Sequence, residues 1–144
     1  MINVAYTLGR ILVPILFIVL GIQKLLNVDD VAKSLTGYVP LPAEIDGYLG
    51  GLSRYVALAY LIAAIEIIAG IMVLIGLKAR WGALMLIVFS ACSVFFVHHF
   101  WDMEGAAAVV SRMQALMYLS ILGALLLIVA GGSGANALEG RPRA

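Results

Sequence analysis

The chain has 144 residues, of which 64% are hydrophobic and only 12% are charged, and its mean hydropathy is +1.10. Soluble globular domains carry about twice this share of charged residues, so the composition indicates an integral membrane protein surrounded by the lipid bilayer. The net charge is +1 and there is no basic run, which excludes nucleic-acid binding. A single cysteine, Cys92, excludes both a disulfide framework and a CxxC dithiol.

Four apolar stretches are long enough to cross a bilayer, which takes about 20 residues in a helix. They comprise residues 4–26, 55–77, 81–101 and 113–132. The first stretch has no basic region before it and no cleavage site after it, so it is predicted to be a retained helix rather than a signal peptide. Short connections make sequence neighbours antiparallel. We therefore expect one all-α transmembrane domain over residues 1–144, an up-and-down four-helix bundle.

The sizeable loop, residues 27–54, lies between the first two spans. Residues 27–38 are compatible with a short interfacial helix, and Pro40 and Pro42 then favour an extended turn. With four spans, both termini lie on the same side as the Lys78/Arg80 turn. That side carries five basic residues and the other side four, spread over more chain. The positive-inside rule therefore predicts that both termini are cytoplasmic.

Glu66 lies in the middle of the second span, ~16 Å from either end. A carboxylate at this depth costs a few kcal/mol on insertion scales, so it must face the bundle interior. Ala59, Ala63 and Gly70 share its helical face, and small residues let helices approach closely. The sequence therefore predicts that this stripe packs against another span.

The first span offers the cation for Glu66, since it carries Arg10 and Lys24 on one stripe together with Pro14, Phe17 and Gly21. We predict that Arg10 is the partner, because a guanidinium can bind a carboxylate with two parallel hydrogen bonds. Two interpretations of the pair stay open. It either fixes helix register as a buried ion pair, or it is a protonatable functional site.

Both histidines of the chain lie in the segment "VHHFWD", residues 97–102. Consecutive helical residues point ~100° apart, so His98 and His99 cannot bind one iron or one metal ion together. A zinc ion would need Asp102, Glu104 or distant carboxylates as further ligands, and no metal site is predicted.

The outer end of the bundle is also expected to gather the polar side chains of His98, Gln23, Lys24, Asp102 and Gln114, beside the interfacial aromatic Trp101. One interpretation is a polar belt where helices leave the membrane. The other is a pocket whose donors bind the carbonyl oxygens of a quinone headgroup.

The order and spacing of several motifs resemble the DoxX family of small four-helix membrane proteins, over about residues 6–135. The motifs are Arg10, Gly21-x-x-Lys24, Glu66-x-x-x-Gly70 followed by Gly76 and Arg80, "HHFWD", and the glycine-rich "GGSG" of residues 131–134. The resemblance implies a bacterial inner-membrane location and an association with redox processes, including complexes that pass electrons from sulfur compounds to quinone or support thiol and oxidant defence. Many members have a Lys-Asn pair entering the fourth helix, whereas this chain has Arg112, Met113 and Gln114 there.

Two function classes stay open. The first is a quinone-associated subunit of a membrane oxidoreductase whose redox centre lies on a partner protein, because the chain has no haem-compatible histidine pair, no dithiol and no nucleotide-binding loop. No intrinsic cofactor or self-contained catalytic site is expected. The second is a non-enzymatic scaffold, or a carrier of a small lipophile or of protons. In this class, Glu66 and Arg10 either have a structural role or relay protons. The sequence leaves the substrate, the partner and homo-oligomer formation undetermined.

Overall fold

The computed structural model describes residues 2–97, 101 and 104–134. Its helices are α1 (Ile2–Leu26), α2 (Val28–Tyr38), α3 (Arg54–Ile75), α4 (Ala79–Phe96) and α5 (Gly105–Gly131), with a 3₁₀ helix over Ala43–Tyr48 between α2 and α3. Of these, α1, α3, α4 and α5 are long and apolar enough to cross a membrane. The predicted class, an all-α polytopic membrane protein, is confirmed.

The bounds of the helices differ from the hydropathy pattern mainly around the last loop. Helix α4 ends at Phe96 and α5 already begins at Gly105, although the apolar pattern predicted residues 101 and 113 for these ends. The segment before residue 113 is rich in alanine, the best helix former, so the helix extends beyond the strongly apolar stretch. Helix α2 matches the suggested interfacial helix, and Val39 before Pro40 is extended, as the proline requires.

Helices α1 and α3 pack together antiparallel through their glycines. A Cβ added to Gly21 would lie 3.0 Å from the carbonyl oxygen of Ala63, and one added to Gly70 would lie 2.7 Å from Cγ1 of Ile18. Contacts between α3 and α4, α4 and α5, and α5 and α1 close the bundle. The small-residue stripe with Glu66 is buried in this packing, as predicted.

The core between the spans is built around three buried side chains, Phe17, Leu86 and Leu125, with small residues of α3 and α4 between them. A second cluster consists of Ala32 and Leu35 of α2 packed with Ala59 of α3. The outward faces keep large apolar side chains exposed, as expected for helices whose solvent is lipid. Because Ala32 and Leu35 pack on Ala59 near the start of α3, helix α2 covers the end of the bundle opposite the chain's N-terminus.

At the end of the bundle where α1 begins, two arginines bind the C-terminal ends of other helices. The Arg10 guanidinium donates to the carbonyl oxygens of Val73 at 2.8 Å and Leu74 at 3.1 Å, in the last turn of α3. Arg80 reaches the carbonyl oxygen of Ala130 near the end of α5, at 3.5 Å. A cation at a helix C-terminus is favourable because the last carbonyl groups carry partial negative charge.

Candidate functional site

The carboxylate of Glu66 binds Lys24, not Arg10. The Nζ atom of Lys24 lies 2.7 Å from Oε1 and 2.6 Å from Oε2 of Glu66. The Glu66 side chain is fully buried, while 24% of the Lys24 side chain is exposed. The prediction that Arg10 is the partner is therefore wrong in its choice of cation, although the prediction of a charged partner on the first span is correct.

The helix register explains this correction. Gly21 lies against Ala63 and Ile67 of α3, so Lys24 is level with residues near the start of that helix. A lysine side chain spans about one helical turn and reaches Glu66 from there. Arg10 is level with the C-terminal end of α3, and Val73 lies ~10 Å beyond Glu66 along the helix axis. Arg10 therefore binds backbone carbonyl groups instead.

A cavity of about 190 Å³ lies directly on the exposed side of Lys24 and is open on one side. Its walls are mostly aliphatic and aromatic, and four hydroxyl groups line it together with the ammonium. All five helices contribute; the lining residues are Lys24, Val31, Ser34, Leu35, Tyr38, Ile62, Phe89, Ser93, Val97 and Tyr118. Glu66 itself lies behind Lys24, and its carboxylate acts electrostatically on the phenol of Tyr118. The arrangement is an apolar pocket with a charged pair on one wall.

Comparison with known proteins assigns the chain to a family. The sequence profile of the DoxX family matches residues 5–99, a segment that contains both Lys24 and Glu66. The chain belongs to the DoxX family. It is also 29% identical over 136 residues to the inner membrane protein YphA of Escherichia coli (strain K12), covering 93% of this chain and 87% of the relative. No solved structure matches. The inner-membrane relative and the four apolar helices support a multi-pass inner-membrane protein.

Of the described polar residues that were predicted to form an outer pocket in this DoxX protein, only Lys24 lines the cavity. Gln23 and Gln114 are exposed and do not line it. Trp101 is exposed too, and its ring centroid lies 6.2 Å from that of Phe95. His98, like His99 and Asp102, lies outside the described residues, so its contribution to a ligand pocket stays a prediction. Among the described residues, no cluster of three or more potential metal ligands occurs.

The residues that sequence reasoning missed are the hydroxyl groups of the DoxX cavity. Ser93 lies one helical turn after the fully buried Ser90 on α4, and Tyr118 lies in the middle of α5. A serine or tyrosine inside a span is a weak signal by itself, because its cost in a membrane helix is small. The sequence suggested a short interfacial helix over residues 27–38, but it did not show that Ser34 and Tyr38 would line a cavity beside Lys24.

Proposed function

We propose that this DoxX protein is a quinone-associated membrane subunit of a redox complex, and that it holds the ring of a quinone in the cavity beside Lys24. The observation that carries the proposal is the combination of a ring-sized space, apolar walls and a partly exposed ammonium at one wall. Ligand pockets for small molecules typically have this composition, mainly apolar with a few placed polar groups. The predicted pocket residues Gln23 and Gln114 have no part in this proposal.

The dimensions and donors of the cavity suit a neutral ring with carbonyl oxygens. A cavity of roughly 150 Å³ accommodates a benzene ring, and this one measures about 190 Å³ and is open on one side, where a second ring or a tail can extend. The ammonium of Lys24 has three N–H groups. Two of them are directed at the oxygens of Glu66, which leaves one to donate to a carbonyl oxygen in the cavity. Phe89 and Ile62 line the cavity and would supply apolar contacts to the ring.

The redox centre is assigned to a partner protein because the sequence lacks the motifs that would hold one. The chain has one cysteine and two adjacent histidines, so it offers neither a dithiol nor a pair of axial haem ligands from two helices. A bound quinone supplies the capacity to accept electrons. The residues of this chain bind and orient the ring and exclude water from it.

A second function is favoured by the burial of the charged pair. Glu66 is fully buried beside a partly exposed lysine, and ionisable pairs at such depth often mark proton pathways. In that case the protein is a carrier of protons or of a small lipophile and takes no part in a redox reaction. Retention of a quinone by the purified protein distinguishes the two functions.

The test compares two neighbouring positions on α4. Ser93→Leu places a bulky side chain in the cavity, whereas Cys92→Leu adds the same side chain at an exposed position. We expect the wild type and Cys92→Leu, in lipid nanodiscs, to bind menadione in equilibrium dialysis, and Ser93→Leu to bind it at least ~10-fold more weakly, because added methylenes have no room there. Thermal unfolding of both variants checks that they fold.

Mass spectrometry of lipids extracted from the native-membrane preparation gives an independent readout. We expect a co-purifying quinone in the wild type and in Cys92→Leu. A wild type that carries no quinone and binds no menadione would contradict the proposal and leave the carrier function. Equal binding by the two leucine variants would place the quinone outside this cavity.

A further inference from the structure

Among the residues that the structure describes, the charges at the cavity wall sum to zero. Lys24 and Glu66 are charged residues of opposite sign, and their sum is zero whether the proton lies on the nitrogen or on a carboxylate oxygen. The other polar groups that line the cavity are the hydroxyls of Ser34, Tyr38, Ser93 and Tyr118, which are neutral at ordinary pH. The nearby ion pair of α2, Lys33 with Asp30, lies at the exposed surface, with 78% of both side chains exposed.

The geometry of the pair acts against an anionic ligand. An anion beside Lys24 would also feel the Glu66 carboxylate, whose two oxygens lie 2.6 and 2.7 Å from the same nitrogen. Its attraction to the ammonium is therefore largely cancelled, while the loss of its hydration in an apolar cavity is not compensated. A neutral carbonyl compound loses little hydration and needs only one donor. The cavity therefore distinguishes ligands by charge.

We propose that the Lys24–Glu66 pair makes the cavity selective for neutral ring carbonyl compounds over anions of the same shape, and that Glu66 is the residue that determines this specificity. The inference rests on the proposed function in that it takes the same cavity as the ligand site. It adds the charge class of the ligand, which neither the apolar walls nor the hydroxyl groups determine.

Two naphthoquinones of nearly the same shape test the inference. Menadione is neutral, whereas lawsone carries a ring hydroxyl that ionises at neutral pH because its charge is shared with a carbonyl oxygen. We expect the wild-type protein in nanodiscs to bind menadione at least ~10-fold more tightly than lawsone. In Glu66→Gln the ammonium loses its compensating charge while the side-chain shape is kept, so the menadione-to-lawsone affinity ratio should fall on the order of 100-fold.

Lys24→Met is the matched control, because it removes the donor and leaves the carboxylate. We expect it to weaken menadione binding and to bind no lawsone, and thermal unfolding verifies that each variant is folded. Equal affinity of the wild type for both compounds would overturn the charge selectivity but not the quinone site. An unchanged menadione-to-lawsone affinity ratio in Glu66→Gln would have the same consequence. Lawsone binding by Glu66→Gln without menadione binding by the wild type would show that Glu66 excludes anions, but it would overturn both the preference for neutral ring carbonyl compounds and the quinone site. Binding of neither compound by either protein would overturn both.

Discussion

Lys24 binds Glu66 because its ammonium, at the end of four methylenes, extends about one helical turn toward the centre of the bundle. Arg10 is the stronger hydrogen-bond donor, but it lies level with the C-terminal carbonyl groups of α3 and donates to Val73 and Leu74. Those carbonyl groups carry the partial negative charge of a helix end. Each basic residue of α1 thus donates to an acceptor at its own depth, and depth decides the pairing.

Breaking the pair from one side should be costly. Lys24→Met leaves the fully buried Glu66 carboxylate without its cation, and removing one partner of a buried pair typically costs ~3–5 kcal/mol unless the acid takes up a proton. The double change Lys24→Met with Glu66→Leu removes both charges and should recover most of that loss. The single change Glu66→Leu completes the cycle, and thermal unfolding in one detergent measures all three variants. The coupling free energy between the two positions should be well above 0.5 kcal/mol in magnitude, roughly the limit of simple additivity.

Arg10 provides the control for this cycle, because it contacts α3 about two turns away from Glu66. Arg10→Leu should lower the melting temperature, since it leaves carbonyl groups of Val73 and Leu74 without that donor. Combined with Glu66→Leu, its effect on the free energy of unfolding should be additive within ~0.5 kcal/mol. Strong coupling of Glu66 with Arg10, and none with Lys24, would contradict the pairing seen in the structure.

At the scale of the elements, α3 and α4 approach each other at a glycine that has no room for a methyl group. A Cβ on Gly82 would lie 2.9 Å from the carbonyl oxygen of Ala69, and a backbone atom within a helix cannot move without shifting the helix. Gly82→Ala should therefore destabilise the protein by roughly 1–3 kcal/mol through overpacking.

Gly123 of α5 is the matched control, since nothing lies within 4 Å of a Cβ added there. Gly123→Ala should leave stability unchanged or raise it by up to ~1 kcal/mol, because alanine restricts the unfolded chain more than glycine does. Guanidinium or thermal unfolding of the two alanine variants compares them directly. A neutral Gly82→Ala would show that α3 and α4 are not in close contact at this position.

The elements that the sequence predicted well are those whose signal is local. Runs of apolar residues located the four spans, and the prolines located the end of α2. The N-terminal turns of α5 were missed because hydropathy detects the lipid-facing part of a helix and not its extension. The stripes carrying Glu66 and Lys24 followed from helical periodicity, but their pairing depends on the register of α1 against α3. That register is determined by the contacts of Gly21 and Gly70 across two helices, which no single segment encodes.

For the whole molecule, the two ends of the bundle differ in charge. One end carries Lys78, Arg80 and Arg10, the last two bound to helix C-termini. The opposite end carries α2 and the 3₁₀ helix, whose acidic residues Asp29, Asp30, Glu44 and Asp46 are accompanied by the basic residues Lys33 and Arg54. The positive-inside rule predicts that the first end faces the cytoplasm. The Lys24 cavity, which α2 covers, would then face the outer half of the membrane, so a redox partner would reach it from the periplasmic side.

Cysteine labelling in intact cells tests this orientation in a background where Cys92 is replaced by serine. Leu77→Cys lies in the exposed turn before α4, and Gly47→Cys lies in the exposed 3₁₀ helix; neither change removes one of the charges that set the topology. A membrane-impermeant maleimide added outside should label the Gly47 position at once and the Leu77 position only after lysis. The reason is that a charged reagent cannot cross the hydrocarbon core of the bilayer. Labelling of Leu77→Cys in intact cells, with Gly47→Cys protected, would show that the protein has the opposite orientation in the membrane. The cavity beside Lys24 would then belong to the cytoplasmic half of the membrane.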